Sequence, residues 1–291
     1  MNYNFFDYKH FIEGYHGQDF WGTAHTVFMV IACLAIIIIP ILLRKAKEKN
    51  IDLFLKILSI VIPVLEVFKI TWETVWDLKV VGSFNWGGLL PLYTCSMFIF
   101  VLPFAAWAKG KVKRAAVAWL STIGIFAGLT NFFLPPILNT YPFWTLATFT
   151  SLNFHFWMVF TGVFLGVTGY YKAKWSDIIT AWLPLAIFSV IVIPANYILQ
   201  AKGHYPDYML YMHGNGAPVL PQMSQFFIDK GLQLIYTLIV FFGYMLIGAI
   251  FVAIYRGCYA LGRKNFQLFS HKRLTEKEKN DNIIKNQETD E

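Results

Sequence analysis

Two residues in a largely apolar chain have the chemistry of a nucleophile and a base. Cys95 lies near the start of one apolar run, and His155 lies inside another. An imidazole can take the proton of a thiol, and the thiolate that remains attacks ester carbonyls. The residue types therefore allow Cys–His nucleophilic catalysis. Two plainer interpretations stay open, since a cysteine among apolar residues is often a small core residue and a histidine inside a helix bundle often only hydrogen-bonds a neighbour.

A stripe of charge accompanies these two residues. Glu66, Lys69 and Glu73 follow one another at spacings of three and four, which places them on one face of a helix. Charges at membrane depth are costly and normally face the bundle interior and a partner. An internal ion pair that makes the lysine tolerable is one interpretation. It leaves one carboxylate over, so we also expect the stripe to orient a reacting group or bind substrate.

The remaining polar residues of the apolar runs fall at a similar depth. At 1.5 Å per helical residue, Cys95 lies about 12 Å below Gly87, and His155 about 16 Å below Trp144. None of the polar residues lies near the opposite, basic face. We therefore predict one site that opens toward the outer leaflet. The further residues expected to orient or bind substrate there are His25, Tyr93, Asn131 and Asn196.

Composition places these residues in a membrane protein. Of the 291 residues, 57% are hydrophobic and only 14% are charged, whereas soluble domains have about 25% charged residues. Several apolar runs of about 20 residues match the thickness of a bilayer core. We predict an all-α, polytopic protein with seven transmembrane helices. The spans are residues 21–43, 53–76, 87–107, 115–138, 144–170, 177–199 and 232–256.

Basic residues predict the orientation of these spans. Nineteen Lys and Arg residues fall on one side and four on the other, and Lys69 lies within a span. The positive-inside rule then puts the C-terminus in the cytoplasm and the N-terminus outside. Residues 1–268 form the predicted membrane domain. The charged tail, residues 269–291, is expected to be disordered, and the outer segment 200–231 is a plausible lid.

No soluble partner is expected. The net charge of +7 follows from the positive-inside distribution, so no nucleic-acid partner is predicted. The sequence has no HExxH or CxxC pattern and no phosphate-binding glycine loop, so we expect no metal and no cofactor. Cys33, Cys95 and Cys258 lie in or beside different apolar runs, which gives no disulfide framework.

At these positions the sequence resembles the YwaF family of bacterial integral membrane proteins. That family is related to a eukaryotic multi-pass acyltransferase family that remodels ether phospholipids (plasmalogens). The resemblance runs from about His25 to Tyr197. It rests on Gly22-Thr23-Ala24-His25, Leu90-Pro91-Leu92-Tyr93-Thr94-Cys95, Gly128-Leu129 before Pro135-Pro136, His155, and Asn196-Tyr197.

The resemblance implies that Cys95 is the acyl-accepting nucleophile and that His155 serves it. Members of the family often have histidine two residues before the cysteine and an acidic residue after it, where this chain has Tyr93 and Ser96. The expected function is an intramembrane acyltransferase that moves a fatty acyl chain from a phospholipid to a lysophospholipid through a cysteine thioester. The expected location is a multi-pass position in the cell membrane, in bacteria the cytoplasmic membrane.

Two alternatives remain at this point. An intramembrane lipid-ester hydrolase would use the same Cys95 and His155, with water as the acceptor. A transporter or receptor-like protein without enzymatic activity would use the stripe of Glu66, Lys69 and Glu73, because transporters place charges near the membrane midplane.

Overall fold

The computed structural model describes residues 3–12, 14–17, 19–84, 90–204, 207–214 and 220–288. All regular secondary structure in these ranges is helical. The α-helices are α1 (Thr23–Leu42), α2 (Glu48–Val80), α3 (Met97–Trp107), α4 (Gly110–Leu120), α5 (Ile123–Phe133), α6 (Leu146–Val167), α7 (Asp177–Ala201), α8 (Leu220–Asp229) and α9 (Gln233–Glu288). Short 3-10 helices cover Lys9–Phe11, Pro136–Asn139 and Tyr208–Leu210.

Five stretches are long and apolar enough to cross a membrane. They are Thr23–Leu42, Gly110–Asn139, Leu146–Val167, Asp177–Ala201 and Gln233–Leu261. Their outer faces carry large exposed apolar side chains, such as Leu42 on α1 and Val190 on α7. Such faces are unfavourable in water but suit a lipid environment, where a helix satisfies its own backbone hydrogen bonds. The prediction of an all-helical membrane protein is confirmed, while the count of seven spans stays a prediction.

The third predicted span is wrong in its first half. Residues 90–96 form turns, and helix α3 begins only at Met97; Gly87 lies outside the described residues. Pro91 has no backbone N–H, and its ring disfavours a helical conformation at Leu90. Cys95 therefore lies in a turn two residues before α3, and the depth of about 12 Å inferred from helical rise does not apply to it. We call residues 90–96 the thiol turn.

The fourth predicted span is broken into α4 and α5. Thr122 departs from helical geometry, with φ −131° and ψ −90°, and its hydroxyl donates to the Ala118 carbonyl at 2.7 Å. Such side-chain hydrogen bonds compete with those of the helix backbone. The break lies against Gly162 on α6, where an added Cβ would be 2.5 Å from the Leu120 carbonyl. Glycine therefore permits close packing of α6 on this break.

Helix α6 is central, since it packs against α1, α2, α4 and α5. The described residues before α1 cover one end of the bundle. Tyr8 is buried against Trp76 near the end of α2, and the Leu146 N–H at the start of α6 donates to the Phe5 carbonyl at 2.7 Å. The end of α2 and the start of α6 thus lie together. We call this the capped end.

Helix α9 has backbone described as far as Glu288. The predicted division of the chain at residue 268 is not tested by this geometry and stays a prediction.

Candidate active site

The thiol turn presents Cys95 as a free, partly exposed cysteine. Its neighbours Thr94 and Ser96 are buried. Ser96, the next residue of the turn, stands where the YwaF-like pattern has an acidic residue.

The charged stripe lies beside this turn, on α2. Lys69 Nζ is 3.4 Å from Glu66 Oε1, and the two side chains are 19% and 16% exposed. The Lys69 charge also acts electrostatically on Glu73, Cys95 and His155. Lys69 is thus the group that links the thiol, the imidazole and the two acids in one polar region. The predicted ion pair is present, and it leaves Glu73 without an equivalent contact of its own to Lys69.

Helix positions agree with this arrangement. Lys69 lies eleven residues before the end of α2, and His155 lies nine residues after the start of α6. At 1.5 Å per residue these positions are about 17 and 14 Å from the capped end. Helix α2 packs against both α3 and α6, and the Phe98 ring at the start of α3 makes an edge contact with Phe154, next to His155 on α6, at 5.6 Å.

His155 is held in one tautomer. Its Nδ1 lies 2.7 Å from the carbonyl oxygen of Ser151, one helical turn earlier. A carbonyl only accepts, so Nδ1 carries the hydrogen and Nε2 of the neutral ring has a free lone pair. Nε2 is buried and has no hydrogen-bond partner among the described residues. A buried imidazole with its lone pair unused has the state that a general base requires.

His25 has the opposite tautomer. Its Nδ1 accepts the Trp21 backbone N–H at 3.2 Å, so Nε2 carries the hydrogen; this Nε2 is buried and has no hydrogen-bond partner among the described residues. The ring is fully buried and packs against Phe20 and Trp21. These contacts tie α1 to the segment that precedes it. None of the contacts described for His25 reaches Cys95 or Lys69.

The two predicted asparagines serve the backbone. The Asn131 amide donates to the Ala127 carbonyl of its own helix at 3.4 Å. Asn196 is fully buried, and its side chain pairs with both backbone groups of Tyr208, at 3.0 and 3.1 Å. Asn196 therefore anchors the segment that follows α7 rather than a reacting group.

Sequence reasoning included Tyr93 but missed Tyr208 and Tyr244, the two tyrosines that contact the thiol turn. The Tyr93 ring makes an edge contact with Tyr208 at 5.1 Å, and Thr94 Oγ1 lies 2.7 Å from the hydroxyl of Tyr244 on α9. Thr94 and Tyr244 are 150 positions apart. No local motif relates residues so far apart, so only the fold brings them together.

The other end of the bundle has a second polar region, which we call the basic end. Arg114 donates to both carboxylate oxygens of Asp177, at 2.6 to 3.0 Å, and Asp177 is fully buried. Lys113 and Tyr170 both donate to Asp52 Oδ1, at 2.8 and 2.5 Å. Burial, and the hydrogen bond to Asp52, raise the pKa of Tyr170 to about 12, so this hydroxyl stays protonated at neutral pH.

The helices and their exposed apolar faces define an all-helical, multi-pass membrane protein. Residues 20–244 match the family model of the TMEM164 family. Since the match covers more than half of the chain, this protein belongs to the TMEM164 family, a multi-pass membrane family. No curated protein and no solved structure matches the chain.

Proposed function

We propose that this protein is an intramembrane acyltransferase that moves a fatty acyl chain from a phospholipid to a lysophospholipid through a thioester on Cys95. One observation carries the proposal. Phe98, three residues after the partly exposed Cys95, packs its ring on Phe154, the residue before His155, at 5.6 Å, and the Nε2 lone pair of His155 is unused among the described residues. The YwaF-like pattern around Cys95 and His155 supports the same chemistry.

The first half-reaction loads the cysteine. His155 Nε2 takes the thiol proton, and the Cys95 sulfur attacks the ester carbonyl carbon of the donor phospholipid. The carbon–oxygen bond to the glycerol breaks, and the leaving alkoxide takes the proton back from His155. The products are a lysophospholipid and the S-acyl form of Cys95.

The second half-reaction unloads it. The hydroxyl of an acceptor lysophospholipid gives its proton to His155 Nε2 as its oxygen attacks the thioester carbon. The carbon–sulfur bond breaks, and the departing thiolate takes the proton from His155. The cycle is balanced without an oxidant, a nucleoside triphosphate or a soluble carrier.

Lys69 has an electrostatic role in this scheme. A cation near a thiol favours the thiolate, which is the reactive form. Glu66 holds the ammonium at 3.4 Å, and Glu73 adds a second negative charge nearby. We assign Tyr93, whose ring packs on Tyr208, to the wall of the acyl site.

We further propose seven spans, with α2 and the α3 region as the two beyond the five apolar helices. At 33 residues α2 is long enough to cross a bilayer, and its charges lower its hydropathy. From the distribution of basic residues we propose that the capped end faces outside and the basic end faces the cytoplasm, with the protein in the bacterial cytoplasmic membrane.

Intact-mass measurement of the purified protein tests the chemistry. We expect a fraction with the added mass of one fatty acyl group, which neutral hydroxylamine removes and which Cys95→Ser lacks. Cys33→Ser and Cys258→Ser are the matched controls, because both are free cysteines outside the polar region. An adduct that survives in Cys95→Ser, or a protein that never carries one in a lipid environment, would overturn the proposal.

A lipid-ester hydrolase is the second candidate. The partial exposure of Lys69 and Glu66 favours it, because a site that is not sealed admits water. The hydrolase would form the same thioester but release free fatty acid. A transporter built on the charged stripe would instead tolerate Cys95→Ser and lose function on change of Glu66 or Lys69.

A further inference from the structure

The chain after α7 folds back into the bundle as a buried segment, residues 207–212, which we call the strap. Tyr208, Met209, Tyr211 and Met212 are each at most 1% exposed. Met209 and Leu210 have positive φ values of 57° and 61°, a strained conformation for residues other than glycine. Such strain persists only where the surroundings fix the backbone firmly.

The surroundings of the strap do fix it. Asn196 on α7 pairs with the backbone of Tyr208, and on α9 Tyr236 donates to the Leu210 carbonyl at 2.9 Å. Thr237 donates to the Tyr211 carbonyl, also at 2.9 Å. The strap is therefore tied to two helices and does not act as a freely opening lid at these residues.

One side chain joins the strap to the thiol turn. The Tyr244 hydroxyl donates to the Met209 carbonyl at 3.2 Å. Because that carbonyl only accepts, the hydroxyl hydrogen of Tyr244 is used there, and Thr94 Oγ1 donates to Tyr244 across 2.7 Å. Thr94 immediately precedes Cys95 in the chain. The Tyr93–Tyr208 ring contact adds a second link between the same two segments.

We infer that Tyr244 is a positioning residue for Cys95, which fixes the thiol turn to the strap through Thr94. The inference rests on the proposed function only for its consequence for acyl transfer. The effect of Tyr244 on the reactivity of the Cys95 thiol does not depend on that function. The thiol turn is not helical and so lacks the regular backbone bonds that would hold it. A displacement of about 1 Å at a reacting group can reduce a rate about a hundredfold.

The test compares Tyr244→Phe with Tyr236→Phe in a protein whose other cysteines are replaced by Cys33→Ala and Cys258→Ser. Both variants remove a tyrosine hydroxyl that donates to the strap, but only Tyr244 also contacts the thiol turn. The readout is the rate of Cys95 alkylation by N-ethylmaleimide in nanodiscs, followed by intact mass across a pH series. Thermal unfolding is measured alongside.

We expect Tyr244→Phe to change the alkylation rate of Cys95, or the rate at a given pH, by at least about tenfold. A change of this size is within the range that a small displacement of a reacting group produces. Tyr236→Phe should change it less than about twofold at a similar loss of stability. Thr94→Val should change the alkylation rate as much as Tyr244→Phe does, whereas Thr94→Ser should keep the wild-type profile. The double variant, Thr94→Val with Tyr244→Phe, should show an effect no larger than either single variant.

Equal effects of Tyr244→Phe and Tyr236→Phe would overturn the inference, as would effects of Thr94→Val and Tyr244→Phe that simply add. If Tyr244→Phe does not fold, the comparison of Thr94→Val with Thr94→Ser decides alone. A wild-type alkylation profile that is lost with valine and kept with serine shows that the Thr94 hydroxyl is required. Absence of any acyl adduct on wild-type protein would remove the proposed function but leave this alkylation pattern, and the positioning role, standing.

Discussion

The basic end and the charged stripe use charge in different ways. At the basic end the buried Asp177 and the half-buried Asp52 each have a matching cation: Arg114 spans both oxygens of Asp177, and Lys113 contacts Asp52 at 2.8 Å. On the stripe, one lysine serves two acids and also acts on a thiol and an imidazole. We call the basic end saturated because each of these two acids has its own cation, and the stripe unsaturated because its two acids share one lysine.

This difference separates structural charge from chemically usable charge. Asp177 also accepts the Lys174 backbone N–H, so its carboxylate has little capacity left for another partner. His155 Nε2, by contrast, is buried with its lone pair unused among the described residues. Since buried polar atoms normally have partners, a buried base with an unused lone pair marks a candidate reactive site.

The largest effect is expected at the saturated end. Arg114→Met leaves the fully buried Asp177 carboxylate without its cation, and removing one partner of a buried pair is strongly destabilising. We expect a loss of about 3 kcal/mol in unfolding free energy, the lower end for such pairs because the Arg114 side chain is 35% exposed. Thermal and denaturant unfolding in detergent measures it.

Lys113→Met is the matched control for that change. Its carboxylate partner Asp52 is 30% exposed, whereas Asp177 is fully buried, so we expect a loss of about 1 kcal/mol or less. Equal losses for the two variants would show that burial of the carboxylate does not distinguish these pairs.

The second effect is on the chemistry of the unsaturated region. His155→Ala should lower the rate of thioester formation at Cys95 at least about a hundredfold, the scale for loss of a general base, which is about 2.7 kcal/mol in the barrier. Stability should change little, because the one hydrogen bond lost, from Nδ1 to Ser151, lies within α6, and Nε2 has no partner among the described residues. Timed intact-mass measurements give the rate.

His25→Ala provides the comparison, since its Nδ1 already accepts the Trp21 N–H. We expect this variant to lose stability and, where folded, to keep thioester formation within about threefold, far from the loss of a base. A folded His155→Ala protein that acylates Cys95 at the normal rate would assign His155 a structural role.

The third effect concerns the balance of the stripe. Removing both acids by Glu66→Gln with Glu73→Gln leaves the Lys69 ammonium unpaired, whereas Lys69→Met removes the cation itself. We expect the double variant to lose about 2 kcal/mol and Lys69→Met about 1 kcal/mol, reduced from fully buried pairs by partial exposure. Equal unfolding temperatures for both variants would contradict this.

The smallest effect is a labelling pattern that places the two ends. In a protein without its native cysteines, Lys202→Cys should react with an impermeant thiol reagent on intact cells, and Lys111→Cys only after permeabilisation. Both positions are exposed, so access alone decides the result. The reverse pattern would place the basic end outside and refute the proposed orientation.

The sequence predicted much of this fold because apolar length dominates in a membrane. The runs behind α1, α6, α7 and α9 are continuous, and each is a long helix. The exceptions are local. Pro91 ends the helical pattern before Cys95, and the hydroxyl of Thr122 breaks the fourth run at a position with neither Pro nor Gly. The hydropathy of the run does not register such a break.

The candidate site was predictable only in part, for a related reason. Helical spacing was enough to place Glu66, Lys69 and Glu73 on one face. The tautomers of His25 and His155 depend on single backbone contacts, which differ although both residues lie in apolar helices. The bond between Thr94 and Tyr244 crosses 150 positions and depends on the packing of α9 against the strap.

A pulse-chase experiment tests the central claim most directly. The protein is reconstituted in liposomes with a phospholipid whose acyl chain is isotopically labelled, and the mass of Cys95 is followed before and after addition of lysophospholipid. We predict that the label loads onto Cys95, leaves it on the chase, and appears in equal amount in newly formed diacyl phospholipid. Label that reaches diacyl phospholipid in the Cys95→Ser variant, or that leaves Cys95 only as free fatty acid, would contradict transfer through this thiol.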